Sequence, residues 1–365
     1  MKRLKGIAIY LATLAVGLLA LDGWLQLAEI ATPLENRADS ELGPVYRPGV
    51  EFSRFSEGFF LGGANRWGFL GEGAPRTRQD DEVRVLLLGD SFVLGHTVFE
   101  RHHFKTVLAR ELGLALGREV EVLNFARADY CLWNMHQHYV EHAATWDHDL
   151  ALFFLADGDL APAYPADPAM YPYTELADGH LRINRDFQGS AKRALYVQLE
   201  PVLTTLALPR MGFNLLKVVD SGQWRAMLLG KFAPRTETGP TVALGEVPGP
   251  LPEEVRLGPA RRPLPPVTPA VLRDLRERGR CAAVLNWALR PAWRDGVLAS
   301  GIPVVDLAPL WNVMEQNGID PWFWSVTGQH GHWNHEAHQA LGRHLAAAIL
   351  EAGWLEDDPT GAPAP

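Results

Sequence analysis

The chain alternates between short apolar runs and segments of helical periodicity from about residue 83 onward. Largely apolar runs of strand length predict buried β-strands at Val83–Leu88, Val120–Phe125, Leu150–Leu155, Ala282–Trp287 and Ile302–Leu307. Apolar residues at helical spacing predict helices at Phe104–Leu116, Asn134–Trp146 and from Asn334 to Gly353. This alternation predicts a three-layer α/β/α sandwich with a doubly wound, mainly parallel sheet.

The N-terminal 30 residues follow a different pattern. Lys2, Arg3 and Lys5 precede an apolar run over residues 6–21, which extends to residue 30 with Asp22 as its only early interruption. A basic flank before such a run predicts a transmembrane signal anchor that leaves the rest of the chain outside the membrane. Because no small-x-small cleavage site follows, an uncleaved anchor is favoured over a removed signal peptide. A buried core helix is the alternative.

The remaining chain divides into a lead-in, a domain that contains an insertion, and a tail. Residues 31–80 are predicted to form an irregular lead-in, and residues 81–355 the α/β domain. A lid-like insertion is predicted over residues 161–270. It contains a helical stretch from Ser190 to Val219 and a proline-rich stretch, Gly239–Pro269, in which no regular element is expected. Residues 356–365 are expected to be disordered.

Charge and cysteine content narrow the functional classes. The 365-residue chain has a formal net charge of -9 and no basic stripe, so a nucleic acid is not an expected partner. Cys131 and Cys281 are too few for a disulfide framework. An exported location permits one bridge between them, but two buried free thiols are the favoured interpretation.

The first predicted strand ends in Gly89-Asp90-Ser91. In open α/β sheets ligands bind at the carboxyl ends of the strands, so a serine in a sharp turn there is a candidate nucleophile. The alternative is an ordinary strand-to-helix turn in which Asp90 or Ser91 is an N-cap.

Three segments together resemble the SGNH (GDSL-like) hydrolase family, in particular its membrane-anchored bacterial envelope members. They are Asn65-Arg-Trp-Gly-Phe69, Gly89-Asp-Ser-Phe-Val-Leu-Gly95 and His332-Trp-Asn334 before the last helix. The resemblance implies a flavodoxin-like SGNH fold and acyl transfer to water without a cofactor. Ser91 is then the nucleophile and His332 its general base. It also implies a domain on the periplasmic side of the cytoplasmic membrane.

The chain departs from the family pattern where the catalytic groups are supported. The triad acid usually lies two or three residues before the histidine, where this chain has His330 and Gln329. Asp157, Asp159 and Asp306, near carboxyl ends of strands, are alternative groups to orient His332, and Asp306 also suits a structural role in its loop.

The oxyanion positions also differ from the family pattern. The family's oxyanion region corresponds here to Ser91, Ala126, Asp129 and Gly158. Gly158 stands where the family has an asparagine. A side-chain donor to an oxyanion is therefore missing from the sequence.

Two functional hypotheses from different classes remain. The first is a serine esterase or O-deacetylase that cleaves an ester, with an envelope or exported polysaccharide, or a small ester, as substrate. The second is a catalytically impaired SGNH-like domain that binds acylated glycans or scaffolds an envelope assembly. A zinc site built from His332, His335 and His338 is a third idea, but no cysteine or carboxylate completes it. Polar residues at the exposed start of a helix are the favoured interpretation of these histidines, and no metal is predicted.

Overall fold

The computed structural model describes residues 2–220 and 263–355, except residues 29, 31, 56, 162–165 and 288. It begins with helix α1, Lys2–Leu27, which is exposed along most of its length. Residues 3–27 are long and apolar enough to cross a membrane, a property that signal sequences share.

The remaining elements follow in chain order. Before the central sheet lie β1 (Asn36–Asp39), β2 (Gly43–Tyr46), β3 (Glu51–Arg54) and β4 (Phe60–Gly63). The first half of the domain contains β5 (Val83–Leu88), α2 (Ser91–Leu94), α3 (Phe104–Leu116), β6 (Val120–Asn124), α4 (Leu132–Glu141), β7 (Leu150–Leu155) and α5 (Asp157–Leu160). Then come β8 (Tyr173–Ala177), β9 (His180–Asn184), α6 (Ala191–Thr205) and α7 (Ala207–Asp220). The last part contains α8 (Val267–Arg278), β10 (Cys281–Leu285), α9 (Pro291–Ala299), β11 (Val304–Asp306), α10 (Ala308–Gln316), β12 (Phe323–Trp324), β13 (Gln329–His330) and α11 (His335–Glu351).

Five parallel strands form the central sheet in the order β11-β10-β7-β5-β6. When these five strands are renumbered 1 to 5 in chain order, the sheet reads 2-1-3-4-5 from β6 onward. This is the flavodoxin-like order. The switch point lies between β5 and β7, whose register pairs Leu88 with Phe153. Ligands bind beyond the carboxyl ends of the strands at such a point. Ser91 follows β5 directly and therefore lies at the switch point.

Two apolar clusters fill the space on the two faces of the sheet. On one face Met135 of α4, Leu272 of α8 and Trp293 of α9 pack against the strands. On the other, Leu108 of α3, Trp311 of α10 and Leu341 of α11 do so. The strands between them are buried on both sides, as their largely apolar sequences require. These observations establish the three-layer α/β/α fold.

The lead-in differs from the irregular segment predicted for residues 31–80. β1 pairs with β2, and β3 pairs with β4, as two antiparallel hairpins. Each strand is only four residues long, which is too short for an alternating pattern to stand out. The buried Arg127, beyond β6, donates to the carbonyl oxygens of Pro44 (2.6 Å) and Gly68 (3.1 Å). These bonds hold the lead-in against the edge of the sheet where ligands bind.

The predicted insertion contains regular structure at both ends. Its expected helical stretch is present as α6 and α7, separated at Leu206. The proline-rich prediction is wrong at its C-terminal end, because α8 begins at Val267 and includes Pro269. A proline in the first turn of a helix removes no intrahelical hydrogen bond, so it is tolerated there. Residues 239–262 of that stretch and the predicted tail lie outside the described residues.

Cys131 and Cys281 are free and buried, which confirms the favoured interpretation of the two cysteines. Burial raises the pKa of the Cys131 thiol to about 12 and that of Cys281 to about 11. Both therefore stay protonated at neutral pH and are poor nucleophiles.

Candidate active site

Ser91 is placed by the turn that joins β5 to α2. All six residues of β5 are buried, and the strand ends directly before Gly89. A Cβ at Gly89 would overlap the side chain of Val93, so the tight turn requires glycine. Asp90 caps α2, its Oδ1 accepting the Phe92 N–H at 2.9 Å. The capping interpretation of this turn is thus correct for Asp90, and it leaves the Ser91 hydroxyl at the sheet edge.

His332 lies next to Ser91, although 241 positions separate them in the chain. Its Nε2 is 2.8 Å from Ser91 Oγ. Three bonds fix the loop before α11: Trp324 Nε1 donates to the His332 carbonyl at 2.9 Å, and Asn334 Nδ2 donates to the carbonyls of Asp320 and Phe323. Asn334 also caps α11 by accepting the Ala337 N–H at 2.9 Å. The loop therefore presents the imidazole in one orientation.

The carboxylate behind His332 belongs to Glu57, in the lead-in. Glu57 Oε2 lies 2.9 Å from His332 Nδ1, and Oε1 lies 3.1 Å from the same nitrogen. Oε2 also accepts the backbone N–H of His332 at 2.6 Å. A Cβ at Gly331 would overlap this carboxylate, so a glycine before His332 is required for the contact. Glu57, His332 and Ser91 form a continuous chain of hydrogen-bonding groups.

The surroundings of the Glu57 carboxyl group favour its ionised form. Burial by itself would raise the pKa of Glu57, but the side-chain and backbone hydrogen bonds to His332 together lower it below its usual value. The side chains of His332 and Glu57 remain 21% and 19% exposed, so solvent and a ligand can reach them. His96 packs on the His332 ring with 5.5 Å between ring centroids. Burial lowers the pKa of His96 to about 4, so a neutral ring lies beside His332.

The structure corrects the prediction of the group that orients His332. His330 Nε2 lies 2.8 Å from Asp320 Oδ2 on the surface, and Gln329 lies beside it in the exposed strand β13. Asp306 pairs with Arg294 at 3.0 Å and accepts the Ala308 N–H, which is the structural role that its position suggests.

The two carboxylates after β7 are also engaged elsewhere. Asp157 pairs with Arg290 at 3.2 Å, and Asp159 Oδ2 accepts the Ala156 N–H at 2.7 Å. These contacts leave the Nδ1 side of His332 to Glu57.

The predicted oxyanion positions have different surroundings. The N–H of Ala126 donates to Asn124 Oδ1 at 3.0 Å, so this donor is already engaged. Asp129 has a φ of 65°, the left-handed conformation that glycine adopts most readily and that aspartate tolerates. A Cβ at Gly158 would meet no atom within 4 Å, so open space lies where the family resemblance calls for an asparagine side chain.

Two buried carboxyl groups lie beside this region. Burial raises the pKa of Asp90 to about 6, and the negative charge of Asp129 adds to the shift. Burial also raises the pKa of Asp159 well above its usual value, with the charge of Asp90 as a further cause. Both shifts favour the neutral carboxyl form, which reduces the negative charge beside this region.

The histidines considered for a zinc site point to different surroundings. His338 is buried in α11, with ring centroids 5.0 Å from His103 and 5.7 Å from Phe104, whereas His335 packs against His102. His332 is engaged by Ser91 and Glu57. Among the described residues, no group of three His, Cys, Asp or Glu side chains is arranged to hold a metal ion.

Comparison with known proteins adds weak similarities. No protein-family model matches the chain, and no curated protein sequence does. The chain is similar to the solved structure of a lipase/acylhydrolase from Enterococcus faecalis, with 12% identity over 74% of this chain and 96% of that chain and a TM-score of 0.37. It is also similar to the structure of an acetyl xylan esterase, with 9% identity over 73% of this chain and 100% of that chain and a TM-score of 0.33. For a carbohydrate acetylesterase family member from Sinorhizobium meliloti the corresponding values are 15%, 75%, 99% and 0.27.

Because these TM-scores are below 0.5, the fold assignment rests on the chain itself. The flavodoxin-like strand order, the Gly89-Asp90-Ser91 turn at the switch point and the block at His332 give this protein a flavodoxin-like three-layer α/β/α fold, which is consistent with the SGNH fold.

Proposed function

We propose that the protein is a serine hydrolase that cleaves carboxylic esters. The observation that carries this proposal is the contact chain from Glu57 through His332 to Ser91, with 2.9 Å and 2.8 Å between the successive groups. A hydroxyl, an imidazole and a carboxylate in this order are the groups that activate a serine nucleophile.

In the proposed reaction Ser91 Oγ attacks the ester carbonyl carbon while His332 Nε2 takes the hydroxyl proton. The tetrahedral intermediate expels the alcohol, which receives that proton from His332, and an acyl group stays on Ser91. Water then attacks the acyl carbon, with His332 again accepting a proton and returning it to Ser91 as the carboxylic acid leaves. Glu57 stays ionised and stabilises the imidazolium form of His332.

The surface around the three groups suits a substrate with an apolar or flat part. Phe55 and Phe59 flank Glu57 in the chain, with ring centroids 5.8 Å apart, and their side chains are exposed. Phe323 and Val326 are exposed on the loop whose Thr327 hydroxyl donates to the Glu57 carbonyl at 2.6 Å. We propose an O-acyl group, on an envelope or exported polysaccharide, as the substrate. The anchor would hold the domain on the outer side of the cytoplasmic membrane.

The test measures hydrolysis of short-chain nitrophenyl esters and of acetylated polysaccharides by the full-length protein in detergent. Ser91→Ala is expected to abolish turnover and to abolish labelling by a fluorophosphonate. The matched control is Ser325→Ala, an exposed serine in the loop between β12 and β13, which is expected to keep both.

A second hypothesis is a domain that binds acylated glycans without cleaving them. The engaged N–H of Ala126 and the missing side chain at Gly158 favour it. Folded protein that neither turns over a broad ester panel nor reacts with a fluorophosphonate at Ser91, yet binds acetylated polysaccharide, would replace the hydrolase proposal with this one.

A further inference from the structure

The C-terminal end of α1 is bonded to the turn that joins α6 to α7. Asp22 is buried, and its Oδ1 accepts the backbone N–H of Leu208 in the first turn of α7 at 2.7 Å. Gln26 Nε2 donates to the carbonyl of Thr205, the last residue of α6, at 3.1 Å. A carboxylate at a helix N-terminus is favourable because it satisfies free N–H groups there. These bonds fix α6 and α7 next to the end of the predicted membrane span.

The length of the span places this junction near the membrane surface. A hydrocarbon core of about 30 Å is crossed by about 20 helical residues at about 1.5 Å each. In α1 the apolar run covers residues 6–21, and Asp22 is the first charged residue after Lys5. About 20 residues counted from Gly6 end at Leu25, so Asp22, and with it the start of α7, lies within about one helical turn of the outer boundary of the hydrocarbon.

The inner side of α6 is held by the domain. Tyr196 Oη donates to the carbonyl of Asn36 at 2.8 Å. Glu200 accepts from the Ala38 N–H at 2.9 Å and from Arg47 at 2.8 Å. These contacts set which side of α6 faces away from the protein.

Large apolar side chains lie on the outward side of both helices. On α6 they repeat at helical spacing, with Leu195 56% and Val202 42% exposed and Leu199 between them. On α7 Leu215 is 63% and Leu216 68% exposed. Seven large apolar side chains, counting Val197 and Met211, are exposed on these two adjacent helices, a concentration that a water-exposed surface does not favour.

We propose that α6 and α7 lie on the outer surface of the membrane, with these leucines in the interface between headgroups and acyl chains. The bilayer is the occupant that continuity with α1 indicates, because Asp22 joins the two helices to the end of the span. Residues 191–216 also carry three basic residues and one acidic residue, whereas the whole chain has a net charge of -9. Arg210 is buried, however, and Lys192 pairs with Asp167, so the apolar side chains and not the charge carry the docking. The α/β domain is then held in one orientation rather than on a loose tether.

The test uses the full-length protein in vesicles of phosphatidylcholine and phosphatidylglycerol. The two native cysteines are buried, so an environment-sensitive fluorophore can be attached to Leu215→Cys. The matched control is Leu114→Cys on α3, since Leu114 is a leucine with 76% exposure on another helix. Val16→Cys, in the middle of α1, reports whether the span itself is inserted.

The fluorophore at 215 is expected to show a blue-shifted emission and a loss of emission with nitroxide-labelled lipids, whereas the one at 114 shows neither. Quenching at 16 without quenching at 215 would overturn the docking while leaving the span in place. If the blue shift at 215 persists in detergent at low protein concentration without quenching by nitroxide-labelled lipids in vesicles, another segment of this chain and not the bilayer covers Leu215. A shift that depends on protein concentration would assign this surface to a second copy.

Discussion

The most decisive single change is Glu57→Gln, which keeps the size of the side chain and removes its charge. In the native site Oε2 accepts the rigid backbone N–H of His332 at 2.6 Å, and Oε1 lies 3.1 Å from Nδ1. The backbone bond will fix the amide oxygen of glutamine at the Oε2 position. At that position the amide oxygen also lies 2.9 Å from Nδ1 and can still accept its proton, whereas the amide nitrogen at the Oε1 position, 3.1 Å from Nδ1, is a donor that favours the tautomer in which Nδ1 carries no proton.

In that tautomer Nε2 of His332 carries the proton and cannot accept one from Ser91. The equivalent aspartate-to-asparagine change in serine proteases lowers kcat by about 10⁴, or about 5 kcal/mol of transition-state stabilisation. We expect a loss of about 10²-fold to 10⁴-fold here, because the neutral amide no longer stabilises the imidazolium form of His332 and its nitrogen competes for Nδ1. The measurement is kcat for a nitrophenyl ester, with circular dichroism to show that the variant is folded.

Asp320→Asn is the matched control, because Asp320 also pairs with a histidine at 2.8 Å, on the surface beside the site. It should leave kcat within a factor of about two, since His330 is not part of the proposed contact chain. A folded Glu57→Gln variant that keeps more than about a tenth of the native kcat would refute the role assigned to Glu57.

Two further predictions concern the oxyanion region and the core. Gly158→Asn adds a hydrogen-bond donor in open space and should raise kcat about tenfold or more, since one side-chain donor contributes about 10²–10³ in an optimised site. Gly189→Asn, also in open space, is the control and should leave kcat unchanged. Equal kcat values for the two variants would show that Gly158 is not part of the oxyanion region. His138 is fully buried, neither of its ring nitrogens has a hydrogen-bond partner among the described residues, and burial lowers its pKa well below the usual value. Below about pH 6.5 the unfolded chain therefore binds a proton that the folded chain does not, so the free energy of unfolding of the native protein decreases as the pH decreases. Between pH 8 and pH 5 the free energy of unfolding of His138→Leu should therefore increase by about 2 kcal/mol relative to that of the native protein. Urea unfolding at the two pH values checks this, with exposed His180→Leu as control, and a pH-independent difference for His138→Leu would contradict it.

The sheet domain was predictable because its signals are local. The structure reproduces Val83–Leu88, Leu150–Leu155 and Phe104–Leu116 with the expected boundaries. Leu150–Leu155 is a continuous apolar run, and Val83–Leu88 is one except for Arg84, so both strands need a sheet that is covered on its two faces. Ser91 was predictable for a related reason, since it lies at an element boundary on the edge where an α/β sheet binds ligands, whereas His332 was indicated by the resemblance of His332-Trp-Asn334 to the SGNH family.

Glu57 was not predictable from the sequence. It lies 275 positions from His332, in a segment without hydrophobic periodicity between two four-residue strands. The reason for a glycine at position 331 is also visible only in the folded structure, because a side chain there would overlap the Glu57 carboxylate. A tertiary contact of this kind leaves no local pattern, so the residues nearest His332 in the sequence indicated His330, which pairs with Asp320 instead.

The position of Glu57 decides which fragments of this protein are worth studying. In chain order the three groups run Glu57, Ser91, His332, so the carboxylate precedes the sheet instead of following it. A fragment that starts at residue 81 keeps the complete sheet, the serine and the histidine, but it lacks Glu57 and the lead-in residues, such as Val45 and Phe52, that belong to the two apolar clusters. Rates measured on it would understate the native protein, and removal of the N-terminal helix must end well before Glu57, with the hairpin strands on both sides of it left intact.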